Sequence, residues 1–185
     1  MFEQTARYYD AIYAFKDYAA EADVLVRIVE EKANRPQRLL DVACGTGAHL
    51  VHLKKHFDVE GVDRSAELLA IAEKKLPEVP LHCADMRTFD LPSRFDAVTC
   101  LFSSIGYLTT HAEVVRALRK MAEHLNGDGV LIVEPWLTPD RWRPNTVHAM
   151  LVDEPDLKIA RVSTSLSHGR ISHFDLHHLI GKPEG

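Results

Sequence analysis

The stretch Leu39-Leu-Asp-Val-Ala-Cys-Gly-Thr-Gly47 decides the fold. Residues 38–43 form the short apolar, β-favouring run expected of a strand buried on both faces, and glycines follow at once. A helical pattern then begins near Ala48. Gly45 and Gly47 allow a tight turn and a close approach to a ligand that a Cβ would hold off. The free N–H groups and the positive dipole end of the following helix aim at the same spot. Asp41, near the strand end, sets this loop apart from one that holds a dinucleotide. A carboxylate there repels a pyrophosphate and attracts an amino group. The loop predicts a nucleoside ligand with a cationic tail.

Outward from the loop, strand-like and helix-like patterns alternate. Residues 17–33 carry Val24, Leu25, Ile28 and Val29 at helical spacing, residues 49–56 form the helix after the glycines, and residues 58–63 read as a second strand. Ser65 caps a helix whose inner stripe is Leu68, Leu69, Ile71 and Ala72. Strands three, four and five fall at 81–84, 95–101 and 130–134. Between the last two, Thr110-His-Ala-Glu113 has capping-box spacing and opens a helix with Val114, Ala117, Leu118, Met121 and Leu125 inward. This order predicts an α/β fold, a Rossmann-like, doubly wound parallel sheet with right-handed crossovers. After Trp136 the pattern changes. Pro135, Pro139 and Pro144 mark an irregular segment, and two alternating runs, 158–167 and 170–180, predict an antiparallel hairpin turned at His168-Gly169.

Composition bounds the function. An apolar content of 46% over 185 residues supports one domain with a full core. No apolar run reaches the ~18 residues of a membrane span, and the N-terminus lacks the apolar core of a secretory signal. Three cysteines without metal-ligand spacing read as reduced, buried thiols of a cytoplasmic protein. A net charge of −5 without a basic cluster argues against nucleic acid and for a small-molecule partner.

In an open parallel sheet the ligand lies beyond the carboxyl ends of the strands. The first end offers Asp41, Ala43, Gly45, Thr46 and Gly47. The second offers Asp63, eighteen residues past Gly45, with Arg64 beside it; a carboxylate there suits ribose hydroxyls. The third offers Asp85 and Met86, an acceptor for an adenine amino group beside a soft apolar surface. The fourth offers Phe102 and Ser103 after Leu101. Together they fit a nucleoside with an amino-acid tail, and S-adenosyl-L-methionine is the expected cofactor. The three-glycine spacing of dinucleotide loops is absent, which speaks against an NAD-dependent oxidoreductase.

Asp41-Val-Ala-Cys-Gly-Thr-Gly-Ala-His-Leu50 resembles motif I of the class I methyltransferases. Lys16-Asp-Tyr-Ala-Ala-Glu-Ala22, Asp96-Ala-Val-Thr-Cys-Leu-Phe-Ser-Ser-Ile-Gly106, Val133-Glu-Pro-Trp136 and Arg161-Val-Ser resemble the sugar N,N-dimethyltransferases of macrolide pathways. Those enzymes dimethylate the amino group of a dTDP-linked 3-amino-deoxysugar. The resemblance implies one methyltransferase domain over 1–185, with 1–134 as the cofactor-binding core and 135–185 as acceptor-side loop and hairpin. It implies Trp136 and Arg161 as substrate-binding residues and leaves a homodimer open. Two positions depart from the pattern: Tyr107 stands where a histidine follows Ser-Ser-Ile-Gly, and Phe2 is the nearest aromatic to the family's N-terminal tyrosine. The family's fold continues beyond the point corresponding to Gly185, so the chain reads as truncated.

For the chemistry itself, Glu134 is the first candidate to hold the acceptor amine, with the capping of the Pro135 turn as its alternative. His177 aligns with a histidine of the resembling enzymes, and Tyr107 can bond the acceptor or wall the cleft. Arg141, Arg143, Arg161 and Arg170 are the cations available to a diphosphate. No metal site is expected. Other readings are methyl transfer to another small molecule, a nucleic-acid or protein methyltransferase, and a cofactor-binding domain without its own acceptor site. The box that amino-directed nucleic-acid enzymes carry at the fourth strand end is replaced here by Leu101-Phe-Ser-Ser.

Overall fold

Strand β1 (Arg38–Val42) is the axis of the computed structural model, which describes residues 5–183. It pairs in parallel with β2 (Asp58–Asp63) on one side and β4 (Phe95–Cys100) on the other. β3 (Leu81–Cys83) extends the sheet beyond β2 and β5 (Leu125–Val133) beyond β4, giving the order β3-β2-β1-β4-β5. Every pairing in it is parallel. The chain runs outward from β1 to β3, then returns to β1's other side as β4. The crevice of such a sheet opens at that reversal, between the carboxyl ends of β1 and β4.

Successive residues of β1 face opposite cores, which is why the strand reads as an uninterrupted apolar run. Leu39 packs with Leu25, Val26 and Val29 of α2 (Tyr18–Lys32) and with Leu50 and Leu53 of α3 (Leu50–Leu53). Leu40 and Val42 pack instead with Phe89, Phe95, Val98 and with Ala117 and Met121 of α5 (His111–Glu123). Leu39 and Leu40 are both fully buried, each contributing on the order of 1.5–3 kcal/mol of apolar burial. The helix starts obey the expected capping chemistry. Asp17 accepts the Ala20 N–H (2.9 Å), Ser65 accepts the Leu68 N–H at the start of α4 (Ala66–Lys75), and Thr110 and Glu113 close a capping box.

Three features depart from the periodicity. A single turn, α1 (Tyr9–Ile12), follows a 3₁₀ turn over Ala6–Tyr8. The helix after the glycines is the four-residue α3, continued only by turns to Phe57, so it carries little of the dipole that a longer helix would supply. β5 begins at Leu125, earlier than residue 130, with a register irregularity against Phe95 and Ala97.

The chain divides into two compact units, Met1–Trp136 and Leu137–Gly185. In the second unit β7 (Leu157–His168) and β8 (Ile171–Gly181) are the expected antiparallel pair. A third strand, β6 (Thr146–Glu154), pairs antiparallel with β7 along its whole length. Its sequence, Val147-His-Ala-Met-Leu-Val152, is apolar on both sides of the pleat, so it shows no alternation and hides in the proline-rich stretch. Among the described residues no helix is long and apolar enough to cross a membrane.

Candidate active site

The loop after β1 turns through three left-handed residues: Ala43 (φ 63°), Gly45 (57°) and Gly47 (73°). The two glycines serve different ends. A Cβ on Gly47 would come within 2.8 Å of Leu76 Cδ1, so this glycine lets α4 lie close. A Cβ on Gly45 would meet nothing within 4 Å, so this glycine keeps open the space above the loop. That opening lies beside the Asp63 carboxylate, which bonds the Gly45 N–H.

Asp63, at the end of β2, fastens the loop. Its Oδ2 accepts the Gly45 N–H and its Oδ1 the Ser65 N–H, both at 2.8 Å. Burial raises its pKa against the pull of these N–H groups. Asp41 is buried at the end of β1 and accepts the Thr99 hydroxyl (2.7 Å). Burial lifts it to about 6, while His49 and the Thr99 hydroxyl pull the other way. A buried acid of this kind, short of a full cation partner, is suited to an ammonium ligand. Asp85 differs. The Arg87 guanidinium binds both its oxygens (2.8 and 2.6 Å), holding its carboxyl below the ordinary range. Arg87 also pairs with Glu113. An adenine amino group would share Asp85 with that arginine. Met86 is half-buried against the Phe89 core, and Arg64 is exposed beside Asp63.

The N-terminal segment supplies residues to which the sequence reading assigned no role. Asp10 accepts the Thr46 hydroxyl (2.7 Å) and pairs with Lys75 (2.6 Å), tying α1 to the glycine loop and to α4. His49 bonds Glu21 at 2.8 Å, and Tyr18 meets the His49 ring edge-on. Lys16 pairs with Glu21 (2.5 Å) and lies 4.3 Å from the Phe102 ring centre. Tyr13 meets that ring edge-on at 5.1 Å. Burial, then Tyr13, Tyr18, Tyr107 and Asp63, push Tyr9 well above the usual phenol range. Tyr107 is 56% exposed as a residue, but partial burial of its hydroxyl, then Tyr13 and Asp63, push its pKa up to about 12, and it stays a hydroxyl donor at neutral pH. Of these, Lys16–Ala22 carries only a resemblance in the sequence and Arg7-Tyr-Tyr-Asp10 carries no reading at all, because their partners lie far along the chain. Phe2 lies outside the described residues.

Glu134, exposed at the end of β5, is engaged by the backbone at the end of β4. Its Oε2 accepts the Phe102 N–H at 2.6 Å, and Ser103 Oγ donates to the Pro135 carbonyl (2.9 Å). Trp136 packs on Gly106, whose added Cβ would lie 3.0 Å from the Trp136 Cβ; the glycine after Ser-Ser-Ile is thus the indole's seat. In the second unit, His177 pairs across with Val162 and Arg161 with His178. Adjacent strand positions face opposite ways, so His177 and Arg161 stand on opposite faces of their sheet. One surface of that sheet cannot use both.

A doubly wound sheet with an acidic glycine loop, a carboxylate at the second strand end and no dinucleotide spacing defines a class I methyltransferase, and the comparisons agree. Residues 39–129 match the methyltransferase domain family. The chain is 43% identical over 184 residues to the dTDP-3-amino-3,6-dideoxy-alpha-D-glucopyranose N,N-dimethyltransferase of Streptomyces fradiae, covering 98% of this chain and 72% of that one. The dTDP-3-amino-3,4,6-trideoxy-alpha-D-glucopyranose N,N-dimethyltransferase of Streptomyces venezuelae is 42% identical over 95% of this chain and 75% of its own. The crystal structure of Streptomyces venezuelae DesVI superposes with a TM-score of 0.92 at 41% identity, over 97% of this chain and 77% of that one. SAM-bound CalS10, an amino pentose methyltransferase from Micromonospora echinaspora, gives 0.86 at 42% identity, over 96% and 76%. The chain belongs to this family of sugar N-methyltransferases.

Proposed function

We propose that the protein transfers methyl groups from S-adenosylmethionine to the amino group of a nucleotide-linked amino sugar. The observation that carries the donor is the cradle over Gly45, open where a Cβ would stand and fastened by Asp63. The acceptor follows from the named activities of the Streptomyces relatives. S-Adenosylmethionine, when bound, supplies a methyl already activated on a sulfonium. The protein's task is then alignment and exclusion of water, and orientation of this kind is worth on the order of 7–11 kcal/mol.

Within the loop, Asp41 is assigned to the α-amino end of the cofactor and Asp63 to the ribose hydroxyls. Ala43, Gly45, Thr46 and Gly47 form the floor. Arg64, Asp85 and Met86 are assigned to the adenine side. Phe102 and Ser103 line the crevice where the donor's methyl must emerge. On the acceptor side, Tyr107 and Trp136 are assigned to the sugar. The acceptor amine must be neutral when it attacks, and the His177 imidazole is assigned as the group that would accept its proton. Arg161 is assigned to the diphosphate. Because His177 and Arg161 face opposite ways, single alanine variants at each decide which belongs to the reaction. The net charge of −5 supports a small-molecule acceptor over nucleic acid. Cys44 and Cys100 are the buried thiols expected, whereas Cys83, at the end of the short edge strand β3, is exposed. All three are free, which suits a reducing, cytoplasmic setting, and gel filtration would test for a homodimer.

The test has two arms. Calorimetric titration with S-adenosylmethionine and with its demethylated product should show saturable binding of both; binding of neither overturns the donor assignment. Incubation with a dTDP-amino sugar should then raise the sugar's mass by one or two methylenes. Binding without that mass gain on 3-amino and 4-amino sugars overturns the acceptor assignment alone.

A further inference from the structure

The end of β4 carries an unusual backbone. Phe102 (φ 52°) and Ser103 (φ 55°) are consecutive non-glycine residues in the left-handed region. L residues visit that region singly and reluctantly, so two in a row persist only when surrounding contacts over-determine them. Those contacts come from the end of β5. Glu134 N–H donates to the Cys100 carbonyl (2.9 Å), which holds Glu134 alongside the kink. Its carboxylate then accepts the Phe102 N–H at 2.6 Å, a short, charge-assisted bond. Ser103 Oγ donates to the Pro135 carbonyl at 2.9 Å and reaches the second Glu134 oxygen at 3.4 Å. The Ser104 N–H closes the turn onto the Leu101 carbonyl at 3.1 Å.

The kink sets a ring. Phe102 projects from it to meet Tyr13 edge-on and to lie under the Lys16 ammonium. Lys16 is itself held by Glu21. This ring stands at the reversal point of the sheet, between β1 and β4, where a parallel sheet binds its ligand. We propose that Glu134 is a positioning residue: through the Phe102 N–H it holds the left-handed Phe102-Ser103 pair, and so fixes the Phe102 wall against which donor and acceptor align. One of its oxygens is taken by the Phe102 N–H, and this role needs no bond between Glu134 and the acceptor amine. The inference rests on the methyl-transfer function proposed above.

The role predicts a substitution pattern that an amine-holding carboxylate would not produce. Glu134→Gln keeps an oxygen that can accept the Phe102 N–H, so turnover should stay within about threefold of the parent and the pH profile should not move. Glu134→Ala removes the acceptor, and turnover should fall roughly ten- to a hundredfold, since small misplacements cost rate steeply. Hydrogen exchange at the Phe102 amide gives a readout apart from activity. The amide should be protected in the parent and in Glu134→Gln, and exchange at least tenfold faster in Glu134→Ala. A Glu134→Gln variant as slow as Glu134→Ala, with its amide still protected, overturns the proposal in favour of a carboxylate that touches the amine. Equal protection in all three proteins overturns it as well. Should Glu134→Ala fail to fold, the Gln variant's rate and exchange decide alone. A parent protein that binds no cofactor indicts the methyl-transfer function instead.

Discussion

The two sheets of this protein differ in how they use apolar residues. The parallel sheet of the first unit buries β1 on both faces and sets carboxylates at the ends of its strands, where Asp41 and Asp63 are 2% and 7% exposed. The antiparallel sheet of the second unit leaves Val147, Leu151 and Leu179 at 66%, 77% and 76% exposed, on strands nine to twelve residues long. In the first, backbone geometry dictates side-chain chemistry almost residue by residue. In the second, long strands tolerate many side chains, and chemistry is set by which face a residue takes. Substitutions in the glycine loop should therefore act on fold and cofactor together, and those at exposed positions of the second sheet, away from buried Ile159 and Ser165, on neither.

The sharpest way to break that contrast is Gly47→Val. A left-handed valine meeting Leu76 should cost about 2–5 kcal/mol in denaturant unfolding and abolish cofactor binding. A stable, binding variant would mean that the loop is not the constrained region. Next comes Asp63→Ala. It removes the acceptor of the Gly45 and Ser65 N–H groups, and the cofactor's dissociation constant should rise ~100-fold, a loss of about 2.7 kcal/mol by calorimetry.

Asp41→Asn separates stability from binding. Burial holds the folded pKa of Asp41 near 6, above the unfolded carboxylate value, so the folded state binds the proton more tightly. Stability therefore falls as pH rises from about 4 to about 6, and the loss persists above that window. Asparagine, which still accepts from Thr99, should raise unfolding stability at pH 8 by on the order of 1–3 kcal/mol, with no gain at pH 4. The same change should weaken cofactor binding tenfold or more. The smallest effect belongs to the second sheet: Leu151→Lys, at a 77% exposed position, should shift stability by about 0.5 kcal/mol or less and leave cofactor affinity unchanged.

Much of the first unit was legible because its signals are local. The apolar run before Gly45, the caps Asp17, Ser65 and Thr110, and the carboxylates that close successive strands all lie within a few residues of what they determine. The second unit was legible in part. β7 and β8 alternate and were readable, whereas β6 is apolar on both faces and was not. The fate of Glu134 could not be read either, since its partner Phe102 lies 32 residues earlier on a neighbouring strand. Nor could that of Asp85, whose arginine is two residues on but gave no sign of binding it.

The sequence by itself determined the strand–glycine–helix order, the doubly wound class and the kind of ligand the loop accepts, because periodicity, glycine placement and charge act over short stretches. Only the tertiary structure decided that Asp63 fastens Gly45, that Asp10 ties the N-terminal turn to Thr46, that Glu134 braces a left-handed pair, and that His177 and Arg161 part company. Each of those depends on bonds between residues distant along the chain, or on the face a strand turns outward, and sheet pairing sets both.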